Sequence, residues 1–320
     1  MAKIYKLDEI RKVVFFGTPE FAVTSLEKLI KSKYKPCLII TQPDKPKGRK
    51  QILQPTPVKT SGLNHGVPVL QPSNVNSEAV LEKISAVSPD IIITVAYGGF
   101  LGKKLRKLAP LGCINLHPSL LPQYRGASPL QSALFDNLQT SGVSIFKIVA
   151  AMDAGPIINQ KPIDIPAEMN FTEFSEYAAE IGADFLLETL EQIENDGFTL
   201  EQQDNSKATE TAKVEKEDLV INWETNCDVI IGKVRGLSEQ PGARTFRAGK
   251  VLQILRAEKY SEQKHDTTGL IIQVIKNEGF VVSCADGEVL VTEVKPEGKK
   301  NMSAHAYNLG AKLNENEQLG

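Results

Sequence analysis

Asn115 and His117 stand two residues apart in the stretch CINLHPSLLPQYRG, residues 113–126. The apolar run before them reads as a strand, and side chains two apart on a strand project to the same face. An amide and an imidazole are therefore presented side by side near the strand's carboxyl end, with Pro118 holding His117 extended. No His, Cys or carboxylate stands at metal-ligand spacing, so no metal is expected. Ser119 lacks the GxSxG context of a nucleophile elbow. Cys113 shares the face but lies deeper in an apolar strand, where an inert thiol is expected. What remains is acid–base work by His117, with Asn115 donating to a developing oxyanion. Such a histidine needs a partner that sets its charge, and Asp153 in the turn MDAGP is the candidate. A competing reading makes Asn115 and His117 polar residues capping a strand, and Asp153 a turn former beside Gly155.

The elements that must position these groups follow from the pattern around them. KVVFFG (12–17), CLIIT (37–41), VPVL (67–70), DIIITVAY (90–97) and GCINLHP (112–118) read as strands. Between them, TPEFAVTSLEKLIKS and VNSEAVLEKISAV carry helical spacing, the first with Thr18 as cap and Pro19 at its first position. Strands with near-continuous apolar runs alternating with helices predict an α/β fold with a mostly parallel sheet, covered on both faces. Ligands bind such sheets at the carboxyl ends of the strands, where Asn115 and His117 sit. FFGTPEFA has one glycine and fails as a GxGxxG dinucleotide loop. Two extended segments flank a turn at 153–155, and 171–195 is a long amphipathic helix. The polar stretch 204–218 reads as a linker. After it come a helix in CDVIIGKVRGL and four short strands, a rhythm that suggests a small barrel or sandwich.

The 320 residues suggest two domains. A net charge of −2, with 41% hydrophobic and 24% charged residues, is ordinary for a globular protein and shows no bulk basicity. Charge is concentrated locally instead. The stretch 41–60 holds Lys45, Lys47, Arg49, Lys50 and Lys59 against Asp44 alone, and its prolines and glycine deny it regular structure. From 233 to 259, Lys233, Arg235, Arg244, Arg247, Lys250, Arg256 and Lys259 face Glu239 and Glu258. Two basic patches suggest an extended anionic partner such as nucleic acid; solvated faces are the alternative. Four cysteines without a CxxC pair fit a reducing compartment. No apolar segment is long enough to span a bilayer or serve as a leader, so a cytoplasmic protein without membrane contact is expected, with an organellar matrix after removal of a targeting segment as the alternative.

Taken together, these motifs resemble the methionyl-tRNA formyltransferases, within the wider group of enzymes that use N10-formyltetrahydrofolate. The group's Asn-x-His…Asp triad matches Asn115, His117 and Asp153, and SLLPQYRGASPLQSAL matches its SLLP signature. TQPDKPKGR followed by PTPVK is similar to the loop peculiar to the tRNA-specific members. The likeness runs from FFGTPEFA to about residue 195 and resumes at KEDLVINW and KVRGLSEQPGARTF. Gln123 replaces a commonly basic residue, GLSEQPGA lacks the usual Trp-Pro, and TETAKV is less aromatic than usual. The resemblance implies a Rossmann-like formyltransferase domain at 1–203, a linker at 204–216 and a C-terminal OB-like β-barrel domain at 217–320 that binds tRNA. It implies direct attack by the α-amine of initiator methionyl-tRNA on the formyl carbon, with Asn115 and His117 on the oxyanion and Asp153 assisting. Ser119, Leu120, Leu121 and Pro122, with Tyr97 and Gly98, would shape the folate site. Lys45, Lys47, Arg49 and Lys50 would meet the tRNA. No metal is implied, and a monomer is expected. The alternatives with the same triad are a sugar-nucleotide N-formyltransferase and a formyltetrahydrofolate hydrolase. From another class, an RNA-binding protein on an inactive catalytic fold is opposed by the intact triad.

Overall fold

The computed structural model describes residues 4–47 and 51–320. In chain order the first elements are β1 (Val13–Gly17), α1 (Glu20–Ile30), β2 (Pro36–Ile40), β3 (Lys45–Lys47), β4 (Ile52–Gln54), α2 (Pro57–Asn64), β5 (Val69–Leu70), α3 (Glu78–Ala86), β6 (Ile91–Val95), β7 (Cys113–His117) and β8 (Arg125–Gly126). Then come α4 (Pro129–Phe135), β9 (Thr140–Lys147), β10 (Ile157–Asp164), α5 (Phe171–Asn195), β11 (Glu210–Thr211) and α6 (Cys227–Leu237). The chain ends with β12 (Ala243–Arg247), β13 (Lys250–Ser261), β14 (Ile271–Ile275), β15 (Gly279–Ser283), β16 (Glu288–Pro296), β17 (Met302–Ser303) and α7 (Ala304–Ala311).

Contacts divide the chain into two units. The first comprises 1–127, 140–164 and 175–211, and the second 128–139, 165–174 and 212–320. The first unit is built on a seven-stranded sheet of order β10-β9-β7-β6-β1-β2-β5. Its pairs are parallel from β7 through β5, while β9 runs antiparallel to both β7 and β10. β1 and β6 are buried at every residue, as expected of parallel strands with both faces covered. The strand order reverses at β1, whose neighbours are β6 and β2. The carboxyl end there is the expected mouth for a ligand.

Three local expectations are corrected. Pro19, not Thr18, occupies the cap position of α1 and gives it no side-chain cap, while Thr18 Oγ1 donates to the Tyr97 carbonyl at 3.3 Å. The basic stretch is not without regular structure: β3 and β4 pair antiparallel, Lys45 opposite Gln54. Behind them α2 starts at Pro57, capped by Thr56, whose hydroxyl accepts from the Lys59 amide. A proline at the first helical turn costs no hydrogen bond, so counting prolines misled there. Finally, part of the polar stretch read as a linker is ordered against the first unit, where β11 pairs parallel with β8.

In the second unit an antiparallel sheet runs β12-β13-β16-β15-β14, with β17 on β16. No ladder joins β12 to β14 among the described residues, in the manner of the partly open barrel of an OB-like fold. Register shifts at Ile254–Arg256 and Lys259–Ser261 bend the long β13. Its core gathers Leu219, Trp223, Ile230, Val234, Ile254, Phe280 and Val291 from α6, the sheet and the segment before them. Among the described residues, no helix is long and apolar enough to cross a membrane.

Candidate active site

β7 delivers Asn115 and His117 to its carboxyl end as the strand parity required. Asn115 pairs with Thr94 across the parallel ladder. The Thr94 hydroxyl lies 2.6 Å from Asn115 Oδ1 and 3.0 Å from the Ile114 carbonyl. With one proton to give, it serves the shorter contact. The amide oxygen is thereby taken, and Nδ2 has no partner among the described residues: Asn115 presents a donor.

His117 is 4% exposed. Its Nε2 lies 2.9 Å from the Tyr124 carbonyl, which can only accept, so Nε2 carries the proton. Nδ1 is then the basic position, 3.7 Å from Asp153 Oδ2. Burial pushes the imidazole below its ordinary value, while the Asp153 carboxylate and the Tyr124 carbonyl pull it back in part. A neutral ring with its basic nitrogen beside a carboxylate is arranged to accept a proton and share its charge with Asp153.

Asp153 is itself held. Its φ of +48° places it in the left-handed region, and its Oδ2 accepts from the Gly126 amide at 2.8 Å. Gly126 has φ +115°, and a Cβ there would collide with the Thr211 carbonyl, so the residue that positions Asp153 has to be glycine. Gln203 Nε2 donates to the carbonyls of Asp153 and Gly155, at 2.8 and 2.6 Å. Its Oε1 accepts from buried Arg125. Thr94, Arg125, Gly126 and Gln203 were not singled out in the sequence. Thr94 was visible only as a polar residue inside an apolar strand, Arg125 and Gly126 lay within the SLLPQYRGASPLQSAL stretch without being picked out, and nothing local marked Gln203.

The SLLP turn is built around Ser144. Its hydroxyl donates to the Ser119 carbonyl at 2.6 Å and accepts from the Leu121 amide at 3.0 Å and from Gln160 Nε2 at 2.8 Å. Ser119 is fully buried and its hydroxyl donates to the Gln123 carbonyl at 2.6 Å. It shapes the turn. Leu121 packs on Phe146 and Ile157, and the Leu121–Pro122 peptide is cis. Leu120 and Pro122 are half-buried on the same turn. Tyr97 is buried edge-on against Phe16, with ring centroids 5.1 Å apart. Gly98, exposed with φ +73°, turns the chain after β6. Burial pushes Cys113 up to about 12, leaving it the inert thiol expected.

The basic patches fare differently. Lys45 is exposed at the start of β3, with no ion pair among the described residues. Lys47 lies in the same strand. Arg49 and Lys50 lie outside the described residues. Lys59 is taken by Asp44 at 2.6 Å. In the second unit Arg247 pairs with Glu317, Arg256 with Glu173 and Glu293, and Lys259 with Glu262. Arg235 donates to the Met169 and Pro166 carbonyls, and Lys233 to that of Val220. Of the seven cations there, five are engaged within the unit. Arg235, Arg256 and Lys259 line a recess of about 510 Å³ shared with Glu168 and Glu258.

The "Formyl transferase" family model matches residues 11–190, and "Formyl transferase, C-terminal domain" matches 213–312. The class that fold and site define is thus a formyl transferase. The methionyl-tRNA formyltransferase of Thermotoga maritima is 40% identical over 292 residues, covering 91% of this chain and 93% of that protein. That of Moorella thermoacetica is 40% identical over 309 residues, covering 97% and 99%. A solved N-formyltransferase from Helicobacter canadensis, in complex with folinic acid and dTDP-3-aminofucose, shares the fold. Its TM-score is 0.66 at 17% identity, covering 88% of this chain and 99% of that one. The chain belongs to the methionyl-tRNA formyltransferase family.

Proposed function

We propose that this protein transfers a formyl group from N10-formyltetrahydrofolate to the α-amine of initiator methionyl-tRNA, with Asn115, His117 and Asp153 as its catalytic residues. The observation that carries the reading is the open Asn115 Nδ2 donor beside a neutral His117 whose basic nitrogen faces Asp153. The folate supplies an activated formyl carbon. Asn115 Nδ2–H stabilises the oxyanion that forms when the amine adds to that carbon. His117 joins it when the Nε2–H bond to Tyr124 is exchanged for one to substrate. His117 Nδ1 and Asp153 together receive the proton that the attacking amine sheds, and return a proton to the departing folate nitrogen. No acyl-enzyme is needed, in keeping with the buried Ser119 and Cys113.

The SLLP turn at 119–122, with Tyr97 and Gly98, holds the folate. Lys45, Lys47, Arg49 and Lys50 contact the tRNA. Residues 1–203 carry the chemistry, 204–216 connect, with β11 held on β8, and 217–320 bind tRNA; the enzyme acts as a cytoplasmic monomer. Support for tRNA over a sugar nucleotide comes from relatives 40% identical over nearly their whole length, against 17% for the sugar enzyme. The test is formyl transfer to charged initiator methionyl-tRNA, to a 4-amino-sugar nucleotide and to no acceptor. Formylation of the tRNA alone is expected. Transfer to the sugar alone, or hydrolysis alone, would keep the triad and overturn the acceptor.

A further inference from the structure

Cys227 and Cys284 lie 57 residues apart in the sequence, with nothing in their spacing to link them. In the second unit their sulfurs are 2.7 Å apart, inside the van der Waals separation of two thiols. Both side chains are fully buried. Cys227 opens α6, and Cys284 follows β15 at the turn into β16. Asp286 locks the two segments together: its Oδ1 accepts from the Cys227 amide at 2.7 Å and lies 3.6 Å from Cys284 Sγ.

We infer that Cys227 and Cys284 form a disulfide under hydroperoxide stress, a staple between the start of α6 and the β15–β16 turn. The contact is most of the way to the S–S bond length of about 2.05 Å. A shared metal fits less well, since two thiolates on one tetrahedral zinc stand about 3.7 Å apart at Zn–S bonds of about 2.3 Å. Moreover, among the described residues Asp286 is the only further ligand in the cluster. In the reaction, peroxide oxidises one thiolate to a sulfenic acid and leaves as hydroxide. The second sulfur then displaces the sulfenic hydroxyl, which departs with the second thiol's proton as water. Two thiols and one hydrogen peroxide give one disulfide and two waters. Burial raises both thiols, as it raises Cys113, so thiolate is scarce and the reaction is slow; the second sulfur in contact is what sets this pair apart from Cys113, and the same burial shields the product from reductant. Closing so long a loop constrains the unfolded chain and stabilises the fold.

The full-length protein is treated with hydrogen peroxide without metals, then digested and mapped without reductant. A peptide joining Cys227 to Cys284 is expected, with the loss of two of the four thiols. A Tm several degrees higher than that of the reduced protein is also expected, absent in Cys284→Ala and retained in Cys113→Ala. Sulfinic acids or other pairings in place of that peptide would overturn the inference. So would stoichiometric zinc bound through these thiols in a chain that peroxide does not cross-link. The peptide map needs no variant, so a variant that fails to fold leaves the test intact.

Discussion

The triad and the second unit's basic band were both marked by residue type, and they end in opposite states. At the triad almost every polar atom is held by a neighbour, and the Asn115 Nδ2 donor is left open. In the band most cations are spent on their own unit's carboxylates and carbonyls. Spare hydrogen-bonding capacity, not the presence of a charge, is what a ligand can use. A count of lysines and arginines overstates an interface by the number of pairs the fold has already made.

The comparison breaks most sharply at the open donor. Asn115→Ala and His117→Ala should each lower kcat by about 10²–10⁴-fold, with the KM for the formyl donor near its original value. Single-turnover rates measure this directly. A fall in KM affinity alone would turn both residues into binding groups. One step back from the reacting atoms, Thr94→Val frees the Asn115 amide to rotate, and Gln203→Ala loosens the Asp153 turn. Thr94→Val removes about one net hydrogen bond, on the order of 1 kcal/mol, so kcat should fall about fivefold; Gln203→Ala removes both bonds to the Asp153 turn and an acceptor of Arg125, so its fall should be the larger of the two. Unchanged rates would mean that Asn115 and Asp153 are positioned by their backbone alone.

Salt tests the other side of the comparison. Lys45→Ala should reduce the slope of log affinity for tRNA against log salt by about one contact. Arg256→Ala should leave the slope unchanged, because its guanidinium is engaged by Glu173 and Glu293. Equal slopes for both variants would show that tRNA displaces the internal ion pairs.

β1, β2, β5, β6, β7, β9, β10 and β13 to β16, with α3, α5 and α6, were legible because an apolar run or one side-chain period dominates each of them. The Asn115–His117 pair was legible because strand parity fixes a shared face. What places them was not. Thr94 acts across a ladder, 21 residues from Asn115, and Gln203 reaches Asp153 from 50 residues away. Such pairings depend on strand order, which no local pattern encodes. α2 was missed because Pro57 sits in its first turn, where a missing amide costs nothing, and the β3–β4 hairpin because Pro46 stands inside β3, opposite Leu53. The ion pairs of the basic band, such as Arg256 with Glu173, join residues 83 apart and cancel charges that a window count adds.

The smallest effect separates the two regions along a different axis. The band answers to salt, whereas His117 answers to pH. Its imidazole titrates near 6.5 when unfolded and lower in the fold, mainly through burial. Between the folded value and 6.5 the unfolded chain therefore binds more protons. Stability must fall as pH drops through that window and level off below the folded value. His117→Asn removes this proton and should flatten that part of the Tm-against-pH curve by at most a few degrees, with little dependence on salt. In the enzyme, the acid limb of kcat/KM should lie below pH 6.5. Asp153→Asn should move it lower still, because the carboxylate raises the His117 value. A limb that moved up instead would mean that Asp153 does not face the titrating ring, and would separate the aspartate from the site.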